Sequence, residues 1–249
     1  MASSPSPDTI SGMRILVIGG TRFAGHHFSR FALEAGHELT LFNRGESDPG
    51  AFPDAEHVQG DRDGGLEPLR GRAFDSVVAF CGYIPWVVPQ SVELLAPTCE
   101  HYLFVSSISV YDESKIQANF DETAPTRDLE DPTVEEITGD TYGGLKVLCE
   151  REVQRRFTDR SLVVRPGLIV GPLDRSDRFM YWVRRISRGG EVLSPGRPDR
   201  PVQVIDARCP SHRRRPDLPS PGPDRARHLG LGSHPSSGRA PEGRNRRSA

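Results

Sequence analysis

Short apolar runs and helix-periodic segments alternate along the first two-thirds of the chain. The run Arg14–Ile18 is apolar and β-branched and stops at glycines, which is typical of a buried parallel strand. Five further segments are predicted as strands: residues 38–42, 56–59, 76–80, 101–105 and 161–165. Helical spacing occurs in residues 26–35, 88–95 and 143–156, and the first of these stops at Gly36, a favoured helix C-terminus. Strands and helices alternating at this spacing predict an α/β fold, a doubly wound parallel sheet with right-handed crossovers.

The alternation ends near Cys209, where a stretch rich in Arg, Pro, Ser and Gly begins and runs to Ala249. This stretch has no aromatic residue and neither helical nor strand periodicity, so it cannot bury enough apolar surface to offset its ordering entropy. We expect a disordered tail over 207–249 and a disordered lead-in over 1–12. The residues between them divide into a main domain, 13–172, and a short remainder, 173–206.

Composition argues against several classes of protein. The formal net charge is −2 over 249 residues, which gives no electrostatic bias toward nucleic acid or acidic membranes. The four cysteines, Cys81, Cys99, Cys149 and Cys209, include no C-x-x-C pair, which disfavours a disulfide framework or zinc site and fits a reduced cytoplasm. No apolar run has membrane-spanning length, and Met1–Pro7 lacks the basic start and apolar core of a secretory signal. We therefore expect a cytoplasmic protein without a metal site.

A glycine-rich loop joins the first strand to the first helix and reads Gly19-Gly20-Thr21-Arg22-Phe23-Ala24-Gly25. In this context Gly19 permits a tight turn, Gly20 lets the backbone approach phosphates, and Gly25 allows close packing of helix and strand. The amides and positive dipole of the helix N-terminus would then hold a pyrophosphate. The alternative is an ordinary strand-to-helix turn, which the strand–loop–helix context disfavours. We predict a Rossmann-type dinucleotide-binding domain with residues 19–25 as its phosphate loop.

The end of the second strand indicates which dinucleotide this loop prefers. An NAD site usually has Asp or Glu there to bind the ribose hydroxyls, but this strand ends Leu41-Phe42-Asn43-Arg44. Arg44 and Arg22 could both bind a 2′-phosphate, since guanidinium groups match phosphate well. We expect NADP in preference to NAD, with Asn43 at the strand end and Asp61, after the third strand, beside the adenine. Solvated surface roles for both arginines and Asp61 are the alternative.

Tyr142 and Lys146 stand four residues apart at the start of a predicted helix and so share one face. Tyrosine normally titrates near pH 10, so a tyrosine base working at neutral pH needs a nearby cation. Lys146 can supply that charge while its remaining protons bond the nicotinamide ribose. One of the serines after the fifth strand, Ser106, Ser107 or Ser109, can hold the substrate oxygen. Y-x-x-x-K also arises by chance in helices, but its place after a phosphate loop and a serine-tipped strand favours catalysis.

Four segments together resemble the extended branch of the short-chain dehydrogenase/reductase superfamily, the NAD-dependent epimerase/dehydratase proteins. They are residues 19–25, 104–111, the pair Tyr142 and Lys146, and 165–172. The resemblance implies that Tyr142 is the acid/base, that Lys146 supports it, and that Ser107, four residues before Tyr111, orients the substrate. It also places the segment around Pro166 beside the nicotinamide and the substrate cleft.

The phosphate loop with Arg22, followed by Phe-Asn-Arg-Gly after the second strand, is similar to a subgroup of bacterial reductase-like proteins. That subgroup is in turn similar to chloroplast stem-loop RNA-binding proteins. The favoured function is an NAD(P)-dependent oxidoreductase or epimerase/dehydratase that transfers hydride at a secondary alcohol or carbonyl carbon of a small molecule, a sugar nucleotide included. The alternatives are a non-catalytic NADP-sensing or RNA-binding Rossmann protein, and an inactive product. A sensor would need neither Tyr142 nor Lys146. The sequence does not indicate the oligomeric state, and a homodimer is one of the alternatives.

The resemblance runs from Arg14 to Asp206, whereas family members continue into a smaller substrate-binding lobe. Residues 173–206 are therefore expected to be an incomplete remnant of that lobe, and the acidic segment Asp112–Asp140 is expected to cover the cleft. A frameshift in a GC-rich gene near Ala207 or Arg208 is our preferred account of the tail, and a natural disordered basic tail is the alternative. An incomplete lobe would impair catalysis and stability more than cofactor binding.

Overall fold

The computed structural model describes residues 12–117, 120–193, 196 and 202–208. The strands and α-helices of these residues are β1 Arg14–Ile18, α1 Phe23–Glu34, β2 Glu38–Asn43, β3 Glu56–Gln59, β4 Phe74–Ala79, α2 Val87–Leu95, β5 Cys99–Val105, α3 Thr141–Phe157, β6 Ser161–Val164, β7 Leu168–Val170, α4 Met180–Ser187 and β8 Val204–Asp206. Residues 1–11 and 209–249 lie outside the described residues, so the disorder expected for the lead-in and the tail stays a prediction.

Six strands form one parallel sheet in the order β3-β2-β1-β4-β5-β6. The chain moves outward from β1 to β3 and then resumes on the other side of β1 with β4. The carboxyl ends of β1 and β4 therefore lie at the point where the strand order reverses, which is where open α/β sheets bind ligands. The doubly wound Rossmann sheet predicted from the sequence is confirmed.

Several elements begin earlier than the sequence pattern predicts. Helix α1 begins at Phe23, inside the phosphate loop, rather than at residue 26. Strand β4 begins at Phe74 because that residue pairs with Cys99 of β5 and its side chain is buried. Helix α1 ends as predicted, with Gly36 at φ +82° and its amide bonded to the carbonyl of Leu33.

The inner strands of the sheet are covered by apolar side chains on both faces, which explains why these strands are rich in apolar residues. One face of β1 and β2 packs under α1, and Val17 and Leu41 lie at its centre. The opposite face packs against α2 and α3, where Leu16, Phe42 and Phe104 are buried. This alternation fixes which strand ends lie beneath which helix, and so positions the site.

The strand β6 is the last strand of the six-stranded sheet, and its side chains are much less covered than those of β1. Leu162 is 58% exposed and Val164 is 39% exposed. Beyond it, β7 pairs in parallel with β8 in a separate two-stranded sheet. Helix α4 also has exposed apolar side chains, including Val183 and Ile186. No helix in the described ranges is both long and apolar enough to cross a membrane. The predicted boundaries at 172 and 206 stay predictions.

Candidate active site

The phosphate loop turns sharply out of β1 and is pressed against the start of α1. Gly19 has φ +85°, a left-handed conformation that glycine adopts without steric cost, and its amide donates to the carbonyl of Phe42 over 3.1 Å. A Cβ on Gly25 would lie 2.5 Å from the carbonyl oxygen of Gly19 and 3.1 Å from Cα of Gly20. Gly25 therefore has no room for a side chain, in agreement with the predicted close packing of helix and strand.

The structure gives a different reason for glycine at position 20 from the one that the motif indicates. A Cβ on Gly20 would point into the core, 2.7 Å from both Ser29 Oγ and Val17 Cγ1 and 3.0 Å from Leu41 Cδ2. The Ser29 hydroxyl also donates to the carbonyl of Gly20 over 3.0 Å. Gly20 thus lets α1 pack closely on the sheet, and contact between its backbone and a phosphate stays a prediction. The next residue, Thr21, is also buried.

The first turn of α1 has the features of an anion site. The first helical hydrogen bond runs from the amide of His26 to the carbonyl of Arg22 over 3.2 Å, so the amides of Phe23, Ala24 and Gly25 have no acceptor within the helix. Phe23 has φ +40°, a conformation that costs a non-glycine residue about 1–2 kcal/mol. The side chain of Arg22 is exposed at the N-cap position. Free amides and the helix dipole together suit a pyrophosphate.

The residues predicted for the ribose and adenine lie where β2 and β3 end, and these two strands are parallel neighbours. The side-chain oxygens of Asn43 and Asp61 each accept the amide two residues further on, over 2.8 and 3.0 Å. Arg44 forms an ion pair of 3.1 Å with Glu46, and both side chains are exposed. Exposed pairs of this kind contribute only about 0–1 kcal/mol, so Arg44 stays available to a phosphate.

Two glycines bring the start of α3 against the loop that follows β5. A Cβ on Gly143 would overlap the carbonyl oxygen of Ser109, and a Cβ on Gly144 would lie 2.5 Å from Cγ of Leu129. Because both contacts leave no room for a larger residue, they fix the height and rotation of the first turn of α3. That turn carries Tyr142, and the next turn carries the predicted lysine.

Lys146 is 1% exposed, and its ammonium donates to the carbonyls of Gly82 and Val105 over 2.8 and 2.9 Å. One carbonyl follows β4 and the other ends β5, so the ammonium joins two neighbouring strand ends. Its Nζ also lies 4.1 Å from the centre of the Phe104 ring. Burial lowers the pKa of Lys146 to about 8, so the group is mostly protonated at neutral pH. A cation held here can stabilise negative charge on a neighbouring phenol.

Tyr142 is half-buried beside a second tyrosine that the sequence motifs did not indicate. The ring of Tyr83 lies 6.3 Å from that of Tyr142, centre to centre, and 5.4 Å from Nζ of Lys146. In the part of the chain that the structure describes, no hydrogen bond joins Tyr142 to Lys146, although they share one helix face. Burial raises the pKa of Tyr83, which therefore stays a neutral phenol at physiological pH.

The serines after β5 differ in their surroundings. Ser107 caps the short 3₁₀ turn 108–110: its Oγ accepts the amide of Ser109 over 3.1 Å and donates to the Ser109 hydroxyl over 3.2 Å. The hydroxyl of Ser106 is buried, and no partner for it is found among the described residues. The structure thus brings all three serines to the carboxyl end of β5. The choice of Ser107 as the substrate-orienting residue stays a prediction.

A buried ion pair holds α3 against the loop after β6. The Arg165 guanidinium donates to both carboxylate oxygens of Glu150, with a shortest distance of 2.7 Å, and Glu150 is 2% exposed. Arg165 also donates to the Tyr111 hydroxyl over 3.0 Å, and these contacts raise its pKa. The carbonyl of the next residue, Pro166, accepts the amide of Ile108 over 2.9 Å. The loops after β5 and β6 are therefore tied together, with Pro166 in the framework of the site.

The acidic segment expected over the cleft is irregular in its described parts, 112–117 and 120–140. Asp112, Asp121 and Asp131 each accept a Ser or Thr hydroxyl two residues further on over 2.6 Å. These local hydrogen bonds, with Lys115 at Asp112, lower the pKa of each carboxyl. Among the described residues, no group of three or more His, Cys, Asp or Glu side chains is arranged to hold a metal ion.

Comparison with known proteins gives one curated relative. No protein-family model matches the chain. The chain is 31% identical over 201 residues to the chloroplast stem-loop binding protein of 41 kDa b of Arabidopsis thaliana. The match covers 74% of this chain and 50% of that protein, so the chain spans about half the length of this relative.

Solved structures show the same architecture. A UDP-galactose 4-epimerase matches with a TM-score of 0.53 and 24% identity, over 70% of this chain and 64% of that chain. A dTDP-glucose 4,6-dehydratase from Bacillus anthracis in complex with NAD matches with a TM-score of 0.54 and 17% identity, over 71% of this chain and 62% of that chain. The chain has the epimerase/dehydratase fold. At these identities the likeness establishes the fold, and the resemblance read from the four sequence segments is confirmed at that level. Within this fold, the residues predicted for the active site line the carboxyl edge of the sheet.

Proposed function

We propose that this protein is an NAD(P)-dependent oxidoreductase or epimerase/dehydratase of the extended short-chain dehydrogenase type. The observation that carries the proposal is the placement of Lys146. Its ammonium joins the ends of β4 and β5, and β4 is the strand next to β1 at the point where the strand order reverses and the phosphate loop begins. The fold shared with an epimerase and a dehydratase supports the same reaction class. The substrate is a small molecule with a secondary alcohol or carbonyl group, and a sugar nucleotide is the class that the names of these two proteins favour.

The residues present fit a nicotinamide dinucleotide, since the turn at Gly19 and the free amides of the first turn of α1 form a cradle for its pyrophosphate. When bound, the cofactor supplies the hydride donor or acceptor. Tyr142 exchanges the proton of the substrate oxygen. Ser107 turns its one hydroxyl proton from Ser109 to that oxygen when substrate is bound. Lys146 has three N–H donors and uses two on backbone carbonyls, so one remains for the ribose or the phenol.

NADP is the preferred cofactor in this proposal. The residues at the end of β2 include no acid that would bind a ribose 2′-hydroxyl, and Asn43 instead closes a local turn. Arg44 and Arg22 are both exposed at the sheet edge and can meet a 2′-phosphate. The ion pair between Arg44 and Glu46 is weak enough to open on phosphate binding.

Nicotinamide fluorescence titration with NADPH and with NADH tests binding, and NADPH oxidation over a panel of carbonyl compounds and nucleotide sugars tests turnover. Tyr142→Phe should lower turnover by about 100-fold or more, since general acid–base groups contribute about 10²- to 10⁴-fold, and should leave NADPH affinity nearly unchanged. Tyr181→Phe is the matched control, because Tyr181 is exposed on α4. Failure of both dinucleotides to bind, or equal turnover by wild type and Tyr142→Phe, would contradict the proposal.

A second candidate is an RNA-binding Rossmann protein, favoured by the name of the curated relative, a stem-loop binding protein. Fluorescence anisotropy with a labelled RNA hairpin tests it. Binding that falls steeply with salt and is unaffected by Tyr142→Phe would support this function, because contacts to the phosphate backbone release counterions. Loss of hairpin binding when NADPH is added would place both ligands at the same edge of the sheet.

A further inference from the structure

A buried arginine lies behind the candidate site, at the end of β3. Arg62 is 8% exposed, and its three nitrogen atoms reach three different elements. Nε donates to Ser91 Oγ of α2 over 3.0 Å, one terminal nitrogen donates to the Tyr102 hydroxyl of β5 over 3.0 Å, and the other donates to the carbonyl of Cys81. All three acceptors are neutral oxygens, since burial raises the pKa of Tyr102 and keeps its phenol protonated. A full positive charge is therefore held in the core by neutral acceptors.

Arg62 and Lys146 bind successive carbonyl groups of one turn. Arg62 takes the carbonyl of Cys81, and Lys146 takes the carbonyl of Gly82 over 2.8 Å. Arg62 approaches from β3 and Lys146 from α3, so the two cations hold the turn after β4 from two elements. A Cβ on Gly82 would lie 2.6 Å from the Phe104 ring and 3.1 Å from the Arg62 guanidinium, so the turn has little freedom to move.

The same turn contacts the phosphate loop. The Cys81 thiol points at the carbonyl of Ile18 over 3.7 Å, and a Cβ on Gly19 would lie 3.1 Å from Sγ of Cys81. The turn after β4 is thus the surface on which the first glycine of the loop rests. A shift of the turn would move the Gly19 end of the phosphate loop and the ammonium of Lys146 together.

We propose that Arg62 is a positioning residue of the cofactor site: together with Lys146 it clamps the Cys81–Gly82 turn and so holds the phosphate loop and the lysine in one geometry. This inference rests on the proposed function for the identity of the ligand, but the clamp itself can be measured without a ligand. Arg62 also adds positive charge beneath a site whose ligand is an anionic dinucleotide, and this charge acts at low dielectric because the guanidinium is buried.

The clamp has an electrostatic signature at Lys146. The ionisable groups that influence this ammonium are Arg62, whose charge disfavours the protonated form, and Cys81, Cys149 and Glu150, which favour it. Tyr83 is the phenol that faces it, from the turn after β4, and Tyr142 lies beside Tyr83. Burial and Arg62 therefore act in the same direction on the pKa of Lys146. Neutralising Arg62 should raise that pKa, whereas a substitution that keeps the charge should not.

The pKa of Lys146 can be measured directly, because Lys115 and Lys146 are the only lysines in the sequence. Biosynthetic labelling with ¹³C-lysine gives two Cε signals, and the exposed Lys115 serves as the internal reference. The protein is titrated from pH 6.5 to 11 by NMR as wild type, Arg62→Met, Arg62→Gln and Arg62→Lys. The control is Arg70→Met, since Arg70 is an exposed arginine whose ion pair among the described residues is with its neighbour Glu67. NADPH affinity is measured for the same proteins by nicotinamide fluorescence.

We expect Arg62→Met and Arg62→Gln to shift the Lys146 titration upward and to weaken NADPH binding by about 10- to 100-fold, the effect of losing a charged buried hydrogen bond. Arg62→Lys should keep the titration near its wild-type position and recover part of the affinity, and Arg70→Met should change neither. A Lys146 titration that is the same in Arg62→Gln and wild type would overturn the proposal. If Arg62→Met does not fold, the Lys146 titrations of Arg62→Gln and Arg62→Lys are compared instead. If wild type binds neither dinucleotide but the titration shifts, the proposed function fails and the clamp stands.

Discussion

Replacing Gly25 with alanine tests how tightly the phosphate loop is packed. The new Cβ would lie 2.5 Å from the carbonyl oxygen of Gly19, whereas ordinary contact begins at 3.4 Å, so loop and helix must separate by about 0.9 Å. Relieving such an overlap costs about 1–3 kcal/mol. Alanine returns about 0.5–1 kcal/mol because it is the better helix former. The net effect should be a loss of about 0.5–2 kcal/mol in the free energy of unfolding, or a Tm lower by about 2–6 °C.

The same separation should weaken dinucleotide binding, because the amides of the first turn of α1 move by a large fraction of an ångström from the phosphate. Loss of one charge-assisted hydrogen bond corresponds to about 10-fold or more in affinity. Thermal unfolding by circular dichroism and NADPH titration measure the two effects separately. Gly139→Ala is the control, because a Cβ there meets nothing within 4 Å. Wild-type Tm together with wild-type NADPH affinity in Gly25→Ala would refute the close packing described here.

Two further predictions concern buried charges on α3. Because folding lowers the pKa of Lys146 from 10.5 to about 8, the unfolded chain binds more protons between these values, so this residue makes stability rise with pH across that window. The free energy of unfolding of wild type minus that of Lys146→Met, from urea titrations, should therefore increase by about 3 kcal/mol between pH 8 and 10.5. A difference that stays flat over that window would contradict this. Glu150→Gln leaves Arg165 without its buried partner and should lower the free energy of unfolding by about 3 kcal/mol, with Glu150→Asp intermediate. Unfolding at wild-type denaturant concentration would show that the pair contributes little.

The sequence was sufficient for the sheet mainly because its four inner strands are largely buried and are therefore rich in apolar residues. It was also sufficient to place residues 19–25 between β1 and α1 and to place Tyr142 and Lys146 on one helix, whereas their functional roles stay predictions. The sequence was insufficient where the reason for a residue is a contact with a residue outside its own motif. Position 20 must be glycine because a Cβ there would meet Ser29 of α1, whereas the motif alone explains this glycine by contact with a phosphate.

Arg62 shows the same limit more strongly. An arginine between two aspartates after a strand has the pattern of a solvated loop. Only the folded chain brings the loop after β3 to Tyr102 of β5 and to Cys81 in the turn after β4, which lie 40 and 19 residues away along the sequence. The two strand starts that were predicted too late, at Phe74 and Cys99, reflect a register between strands that no single segment encodes.

The half-covered strand β6 has a consequence for how this sheet meets other chains. Its outer edge carries main-chain donors and acceptors of the kind to which a further strand can add, and Leu162 and Val164 supply apolar surface beside them. The other edge strand, β3, is also exposed, but its residues are mostly polar, so the apolar edge at β6 is the one better suited to an added strand. Growth of the sheet by one strand would leave the phosphate loop untouched, because that loop follows β1, three strands away.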